Sequence, residues 1–375
     1  MILKSDCRHF PGDKPCIFNK RDGLMCDDCP NFSELNFKIL IIKLDATGDV
    51  LRTTAILPAL KRKYPDSHIT WLTKKSSSDI FKNNDAVDRV LAVEDAVTNA
   101  ILSVERFDLC IHPDASPTSA ALFSLANAKT KKGFGLSERG KVIPFNNEAI
   151  EWFEMGAFDQ LKKKNTKTYQ QIIHEIIGLD YNRDEIQIFL SQDELNTKET
   201  FSQKHDLQKY DFVLGLNTGA GSRWQFKQWR LDGYIELIEK VKREFNAAVL
   251  LYGGPEEVER NLMLTSRFPD LIDTGTDNTL RQFFAKVDLC DIMITGDTLA
   301  LHTAAALKKQ IICLFGPTSS NEIEDYGRIT KIFPEMDCLV CYKMRCDFSP
   351  NCMDLITVDM VFEALQNSLK QNGKN

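Results

Sequence analysis

Two stretches in which strand-like and helix-like segments alternate most constrain how this 375-residue chain can fold. The first begins with the nearly continuous apolar run 37–44, which is typical of a strand buried on both faces of a parallel sheet. Residues 50–64 then carry apolar side chains at helical spacing. Strand-like runs follow at 68–73, 89–93 and 107–112. This β-α-β alternation predicts a doubly wound α/β domain.

A second alternation follows the polar, helix-biased stretch 145–208, which we expect to connect two halves. The chain length fits two domains of about 150 residues each. We therefore predict an α/β fold of two doubly wound, Rossmann-like domains, with a ligand cleft between the C-terminal edges of their sheets. Strands are expected at 212–216, 247–252, 291–295 and 310–315. The predicted boundaries are a cysteine-rich segment at 1–35, an N-terminal domain at 36–205 and a C-terminal domain at 206–375.

Composition and charge exclude several classes of protein. The net charge of −6 and the isoelectric point near 5.7 argue against a nucleic-acid binder, which normally carries a basic face. No apolar run approaches the roughly 20 residues that a membrane span needs, and the first residues lack the pattern of a secretory signal. We therefore expect a cytoplasmic protein. No G-x-G-x-x-G follows a strand and no G-x-x-x-x-G-K-[ST] occurs, which disfavours dinucleotide dehydrogenases and P-loop enzymes.

Three loops share one design, in which a glycine-containing turn joins a strand to the start of a helix. Such turns can direct backbone N–H groups and a helix dipole toward an anion, so each of the three loops is a candidate phosphate-binding site. The alternative is that the turn geometry alone requires the glycines. The loops are Asp45-Ala-Thr-Gly-Asp-Val50 with candidate donor-binding residues Thr47 and Gly48, Asn217-Thr-Gly-Ala-Gly-Ser222 with candidates Thr218 and Gly219, and Gly296-Asp-Thr-Leu-Ala-Leu-His302.

The order of these loops along the chain is more specific than any one of them. The set comprises Ile42-Lys-Leu-Asp-Ala-Thr-Gly-Asp-Val-Leu-Arg-Thr-Thr-Ala-Ile-Leu-Pro-Ala-Leu60, Asn217-Thr-Gly-Ala220, Lys227-Gln-Trp229, Tyr234, Gly296-Asp-Thr-Leu-Ala-Leu-His-Thr-Ala-Ala-Ala-Leu307, Leu314-Phe-Gly-Pro-Thr318 and a cysteine cluster followed by Met353. From residue 37 to about 365 the chain resembles glycosyltransferase family 9, the lipopolysaccharide heptosyltransferases. The resemblance implies the two-domain GT-B fold, with the acceptor on the N-terminal domain and the nucleotide-sugar donor on the C-terminal one.

The resemblance implies roles for two residues in the chemistry. Asp49 matches the general base, which must be an ionised carboxylate beside the acceptor hydroxyl. The alternative is that Asp49 merely stabilises its helix N-terminus, by about 0.3–1 kcal/mol. Lys227 matches the lysine that neutralises the donor phosphates as negative charge grows on the leaving group. Its alternative is a solvated surface lysine, and Arg223 is a second candidate for the same task.

A third motif is implied to contact the donor sugar and phosphate at a helix start. It consists of Asp297 and Thr298, and the chain departs from the family by having Leu299 where a glycine usually follows. A side chain there would crowd a close approach of phosphate to the backbone. His302 lies one helical turn after Thr298 on the same face, so it is a candidate for donor contact or a core histidine.

Eight of the 11 cysteines fall into two tight clusters, each of which includes a C-x2-C pair. Four clustered thiols can hold one tetrahedral zinc or iron, and we predict a structural metal at each cluster. The alternatives are reduced or disulfide-linked cysteines and, at the N-terminus, an unligated tail. The remaining Cys110, Cys290 and Cys313 lie in apolar strands and are expected in the core. The clusters are Cys7, Cys16, Cys26 and Cys29, and Cys338, Cys341, Cys346 and Cys352.

The resemblance implies an inverting glycosyltransferase that requires no cofactor for catalysis. The expected donor is a nucleoside-diphosphate heptose, by resemblance ADP-heptose, and the expected acceptor is a lipopolysaccharide core or another surface glycan or glycolipid. A glycolipid acceptor implies a peripheral contact with the inner face of the membrane, and no nucleic-acid partner is expected. Two alternatives remain open, a heptosyltransferase that modifies proteins such as autotransporters and a GT-B module that binds a nucleotide sugar without turnover.

Overall fold

The computed structural model describes residues 2–221, 226–371 and 373. Its strands are β1 (Lys38–Ile42), β2 (His68–Thr73), β3 (Arg89–Ala92), β4 (Phe107–His112), β5 (Ala128–Leu136), β6 (Val142–Pro144), β7 (Phe212–Asn217), β8 (Ala247–Tyr252), β9 (Ile272–Asp273), β10 (Ile292–Gly296), β11 (Gln310–Leu314) and β12 (Ile329–Ile332). Its α-helices are α1 (Ile17–Asp22), α2 (Thr47–Thr53), α3 (Ile56–Lys63), α4 (Lys75–Ser78), α5 (Thr98–Val104), α6 (Pro117–Leu125), α7 (Ile150–Ala157), α8 (Asp159–Lys164), α9 (Tyr169–Ile177), α10 (Gln192–Lys204), α11 (Leu231–Glu244), α12 (Val258–Arg267), α13 (Leu280–Val287), α14 (Leu299–Ala306) and α15 (Val358–Gln371). Short 3-10 helices lie at Asp79–Phe81, Asn147–Ala149, Leu207–Lys209 and Pro255–Glu257.

Two six-stranded sheets organise the described residues, which confirms the predicted fold of two Rossmann-like halves. The first has the order β3-β2-β1-β4-β5-β6 and is parallel except for the antiparallel pair of β5 and β6. The second has the order β12-β11-β10-β7-β8-β9 and its strand pairs are parallel. Strand order reverses between β1 and β4 and between β7 and β10. Such a reversal opens a crevice at the C-terminal ends of the strands, where ligands of these folds bind.

The helix predicted over 50–64 is two helices, because the structure ends α2 at Thr53 and begins α3 at Ile56. Pro58 explains the break: it has no N–H to bond the carbonyl of Thr54, and its ring would clash with that carbonyl in a continuous helix. At the break, the Thr54 hydroxyl donates a hydrogen bond to the Leu51 carbonyl at 2.7 Å. The break leaves α2 as a short helix of seven residues that begins with the predicted glycine turn.

The two halves pack against each other through α2 and α14, and a hydrophobic cluster continues from one to the other. It includes Val50 of α2 and Leu301 of α14, both fully buried. The connecting region also crosses over, since the Tyr169 amide donates to the Glu322 carbonyl at 2.9 Å. The domain boundaries themselves stay a prediction. Within the described residues, no helix is both long and apolar enough to cross a membrane.

Candidate active site

A cavity of about 1210 Å³ lies where the C-terminal ends of the two sheets face each other. Its walls come from the loops that follow β1 and β4 in one half and β7, β8, β10 and β11 in the other. Asp49 and Asp297 both line this cavity, so the structure brings together the two carboxylates that the sequence placed in separate domains. Thr47, Gly48, Gly219, Lys227 and the pair Thr298 and His302 line it as well.

Asp49 stands in the first turn of α2, where it is paired with a cation on the same helix. Its Oδ1 lies 2.8 Å from Nη2 of Arg52, three residues along. The guanidinium of Arg52 in turn stacks 3.7 Å from the ring centroid of Tyr169. Burial opposes ionisation of the carboxyl, yet the positive charges of Arg52 and Lys43 hold the pKa of Asp49 below its ordinary value. Asp49 is therefore ionised at neutral pH and has a fixed direction.

A second ion pair joins the ends of β1 and β4 at the reversal of strand order. Lys43 is almost fully buried, and its Nζ donates to Oδ1 of Asp114 at 2.5 Å and to the Asp45 carbonyl at 3.0 Å. Burial disfavours the ammonium, but Asp114 raises the pKa of Lys43 above its ordinary value. Lys43 is thus a permanent cation that fixes the loop preceding α2.

A third ion pair lies at the start of α14. Nζ of Lys227 donates to Oδ2 of Asp297 at 2.8 Å and to the Asp297 carbonyl at 3.1 Å. Burial opposes the charge on Asp297, yet Lys227 lowers the pKa of this carboxyl well below its ordinary range. Thr298 caps the helix, because its Oγ1 accepts from the Ala300 amide at 3.2 Å. A cation and a helix N-terminus therefore meet at one point of the cavity wall, which suits an anionic ligand.

His302 joins the two halves of the site. It is only 6% exposed, and burial first and Arg52 second lower its pKa to about 4. A Cβ on Gly48 would lie 3.1 Å from Cδ2 of His302 and 3.4 Å from Cα of Leu299. Glycine at position 48 therefore permits the close packing of α2 against α14. His302 is neutral at physiological pH and packs at the interface beside the cavity.

The turn after β7 shows which of its predicted residues face the cavity. A Cβ on Gly219 would lie 1.9 Å from Oε1 of Glu257, so any larger residue there would displace the Glu257 side chain. Oε2 of Glu257 accepts from the Gly254 amide at 2.8 Å, whereas its buried Oε1 has no hydrogen-bond partner in the described part of the chain. Thr218 does not line the cavity, because its buried hydroxyl donates to Oδ1 of Asn261 at 2.6 Å. Arg223 lies outside the described residues.

A further carboxylate, Glu322, lies on the cavity wall in the loop after β11. It is 7% exposed, and its Oε1 accepts a hydrogen bond from the Tyr342 hydroxyl at 2.9 Å. Burial raises the pKa of Glu322 even though Arg52 acts against this shift. The cavity thus holds carboxylates of two kinds, since the pKa values of Asp49 and Asp297 are lowered and that of Glu322 is raised.

Several lining residues were missed by the sequence interpretation. Sequence spacing could have identified Arg52 as the partner of Asp49, since it lies three residues later on the same helical face. Lys43 and Asp114 follow strands that adjoin at the reversal of order, but this is visible only once the strand order is known. Glu257 and Glu322 had no local signal. The missed residues are Lys43, Arg52, Asp114, Glu257, Glu322 and Tyr342.

No cysteine forms a disulfide in the described residues, and Cys110, Cys290 and Cys313 are buried as predicted. No group of three or more His, Cys, Asp or Glu side chains in residues 2–221, 226–371 and 373 has an arrangement that would hold a metal ion. The structure therefore does not show the two closed tetrahedral sites that the spacing predicts. Near the C-terminus, burial first and the neighbouring thiols second raise the pKa of Cys352 to about 11. Those neighbours are Cys338, Cys341 and Cys346.

Comparisons with known proteins agree with this arrangement. The family model described as "Glycosyltransferase family 9 (heptosyltransferase)" matches residues 98–351. Lipopolysaccharide core heptosyltransferase OpsX of Haemophilus influenzae is 20% identical over 315 residues, which cover 81% of this chain and 86% of that protein. A solved glycosyl transferase family 9 structure from Veillonella parvula superposes with a TM-score of 0.71 at 18% identity, over 90% of this chain and 98% of that one. The E. coli ADP-heptose lps heptosyltransferase II gives a TM-score of 0.64 at 18% identity, with coverages of 90% and 100%.

Proposed function

This chain belongs to glycosyltransferase family 9 and is a glycosyltransferase of the GT-B fold, and we propose that it transfers a heptose from ADP-heptose to a lipopolysaccharide core or another surface glycan. The observation that carries the proposal is the shared cavity of Asp49 and the ion pair of Lys227 and Asp297. A carboxylate from one half faces the helix start at which Lys227 pairs with Asp297 in the other half. An acceptor hydroxyl and a donor diphosphate therefore have complementary partners on opposite walls.

The donor diphosphate would lie at the N-terminus of α14, beside Lys227. Its binding there uses the helix dipole and the ammonium, which also stabilise the negative charge that grows on the leaving group. Oε1 of Glu257, which has no protein partner among the described residues, would accept from donor hydroxyl groups. Leu299 stands where the family usually has a glycine, and its side chain would narrow the space for the diphosphate at the first turn of α14. Lys227 supplies the charge compensation, so the reaction as proposed calls on no metal ion.

The transfer step would proceed in line. Asp49 takes the proton of the acceptor hydroxyl as its oxygen attacks the anomeric carbon, and the bond from that carbon to the diphosphate breaks with its electron pair leaving on ADP. Attack from the face opposite the leaving group inverts the anomeric configuration. The ion pair with Arg52 keeps Asp49 ionised and directed at the acceptor. Arg52 acts through Asp49 and is a positioning residue.

The test is a transfer assay with ADP-heptose and two acceptors, a lipopolysaccharide core precursor and an unfolded polypeptide. We expect ADP release and a heptosylated glycan whose anomeric configuration is inverted by NMR. Asp49→Asn supplies the control, since it should bind the donor without turnover. ADP-heptose that raises the melting temperature but is never transferred would instead indicate a non-catalytic binding module. Heptosylation of the polypeptide alone would indicate a protein acceptor.

A glycolipid acceptor would require the cavity mouth to approach a membrane surface, and α8 supports this part of the proposal. Lys162 of α8 lies 4.1 Å from the ring centroid of Tyr342, which lines the cavity. The adjoining Phe158 and Leu161 are 56% and 39% exposed, and the exposed Lys163 and Lys164 complete a basic, apolar edge. Such an edge complements an anionic membrane. This placement accords with the cytoplasmic location predicted from the sequence.

Vesicle sedimentation tests this contact separately from the chemistry. We expect binding to vesicles that contain phosphatidylglycerol and little binding to phosphatidylcholine alone. Phe158→Ser with Leu161→Ser should reduce binding, whereas Val104→Ser, which removes an 80% exposed apolar side chain elsewhere, should not. Equal binding of all three proteins would exclude α8 as the contact and leave the transfer reaction untouched.

A further inference from the structure

Residues 2–35 have no hydrophobic core of their own. No residue from 2 to 35 is buried, and α1 has no buried side chain. A segment of this length buries too little apolar surface to order itself and usually needs a metal, disulfides or a partner. Its cysteines form no disulfides, which leaves its order unexplained by the protein alone.

A cavity of about 560 Å³ lies inside this segment. All four N-terminal cysteines line this cavity, although they come from different turns and loops of the segment. Cys7 pairs with Glu34 in an isolated β-bridge, Cys16 directly precedes α1, and Cys26 and Cys29 lie in the loop that follows. The four thiols therefore border one partly open pocket, and thiols are the donors that zinc and iron–sulfur cores prefer.

We propose that Cys7, Cys16, Cys26 and Cys29 are the four ligands of one thiolate-bound metal centre in this cavity. Binding would remove one proton from each thiol, and the thiolates would bond the metal. Four thiolates select zinc, iron or an iron–sulfur core over hard cations. No three of these side chains are arranged around a single ion in the described structure. The site would therefore contract around one zinc ion or hold a larger iron–sulfur core.

The site would be structural, because the segment docks on the sheet edge opposite the cavity. Nη2 of Arg8 lies 2.8 Å from Oδ1 of Asp88 and donates to the Ser67 carbonyl at 3.2 Å. Oδ2 of Asp88 accepts from the Ile69 amide at 2.8 Å. These residues adjoin the first residues of β2 and β3, whereas the candidate active site lies at the C-terminal strand ends. Metal binding would order residues 2–35 without touching the reacting groups, and this inference does not depend on the proposed function.

The experiment compares metal content in full-length protein purified without chelator. Cys26→Ser with Cys29→Ser should lose one metal centre relative to wild type. Asp27→Asn with Asp28→Asn, which alters the two residues between those cysteines, should retain it. Zinc without visible absorption, or iron with acid-labile sulfide and absorption near roughly 400 nm, would each support the site and identify the metal. Measuring the difference between variants separates this centre from any metal held by the C-terminal cysteines.

Limited trypsinolysis gives a second readout. Cleavage after Lys20 or Arg21 should be slow in wild type and in the aspartate control and at least tenfold faster in the cysteine variant. The melting temperature of the remaining chain should stay unchanged, which shows that the variant is folded. Equal metal content in wild type and the cysteine variant, or protection that survives in the cysteine variant, would overturn the proposal.

Discussion

Nη2 of Arg52 lies 2.8 Å from Oδ1 of Asp49, and both side chains project from the same turn of α2 into the cavity between the two halves. The pair explains how a carboxylate in a partly buried site stays ionised, since Arg52 offsets the cost of burial. It also limits the intrinsic basicity of Asp49. In the proposed mechanism, proton transfer to Asp49 depends on its position as well as on its pKa, and the ion pair with Arg52 holds that position.

Replacing the proposed base should separate catalysis from binding. Asp49→Asn keeps the size of the side chain but removes the proton acceptor, so kcat should fall by about 10²–10⁴. Donor affinity should remain close to wild type, because the proposed diphosphate site is the helix start beside Lys227. Calorimetric titration with ADP-heptose and a transfer assay measure the two quantities. A variant with wild-type turnover would remove Asp49 from the mechanism.

Removing the cation beside the base should change the pH profile. In Arg52→Gln the pKa of Asp49 should rise, because burial would no longer be opposed by this charge. The acid limb of kcat/KM should therefore move to higher pH, since the base is protonated over a wider range. Arg52→Lys keeps a positive charge and is the matched control, with a smaller movement expected. An acid limb that stays in place in Arg52→Gln would show that Asp49 is not the group observed.

The sequence predicted the fold because its strands are buried on both faces and therefore stand out as apolar runs. The runs at 68–73 and 107–112 coincide with β2 and β4. Strand β5 was missed, because its lysines and glycines give it neither an apolar run nor strict alternation. Pairing with β4 at one edge and with β6 at the other orders it, and that is a property of the tertiary structure.

The candidate site could likewise be predicted only in part, because part of it depends on the tertiary structure. Asp49, Lys227 and Asp297 follow motifs that remain close to strand ends, so sequence could identify them. Their surroundings come from residues far apart in the chain, as with Glu322 and Tyr342 or Gly219 and Glu257. Thr218 belongs to a predicted motif and adjoins a glycine that lines the cavity, yet its hydroxyl is buried against Asn261. Neighbours in sequence do not reveal which side chains face the cavity.

Removing the cation on the donor side should weaken binding. Lys227→Ala deletes the ammonium that lies 2.8 Å from Asp297 and leaves that carboxylate without it. Hydrogen bonds to charged groups contribute about 1.5–3 kcal/mol, so donor Kd should rise by about 10- to 100-fold, and kcat should also fall. Lys242→Ala removes an exposed lysine from the same half and is the control. Equal donor affinity in wild type and Lys227→Ala would place the diphosphate elsewhere.

His302 should make the stability of the protein depend on pH between about 4 and 6.5. Its pKa is lowered from 6.5 to about 4 by burial and by Arg52. In this window the unfolded chain binds a proton at His302 and the folded chain does not, so the free energy of unfolding rises with pH. The full span corresponds to a stabilisation at neutral pH, relative to pH 4, on the order of 3 kcal/mol. His302→Gln cannot titrate, so its unfolding midpoint in urea should vary less with pH across this window.

His112, whose pKa is also lowered to about 4, is present in both proteins, and the difference between the two curves therefore reports His302. Parallel curves for wild type and variant would show that His302 is protonated as readily in the folded protein as in the unfolded chain.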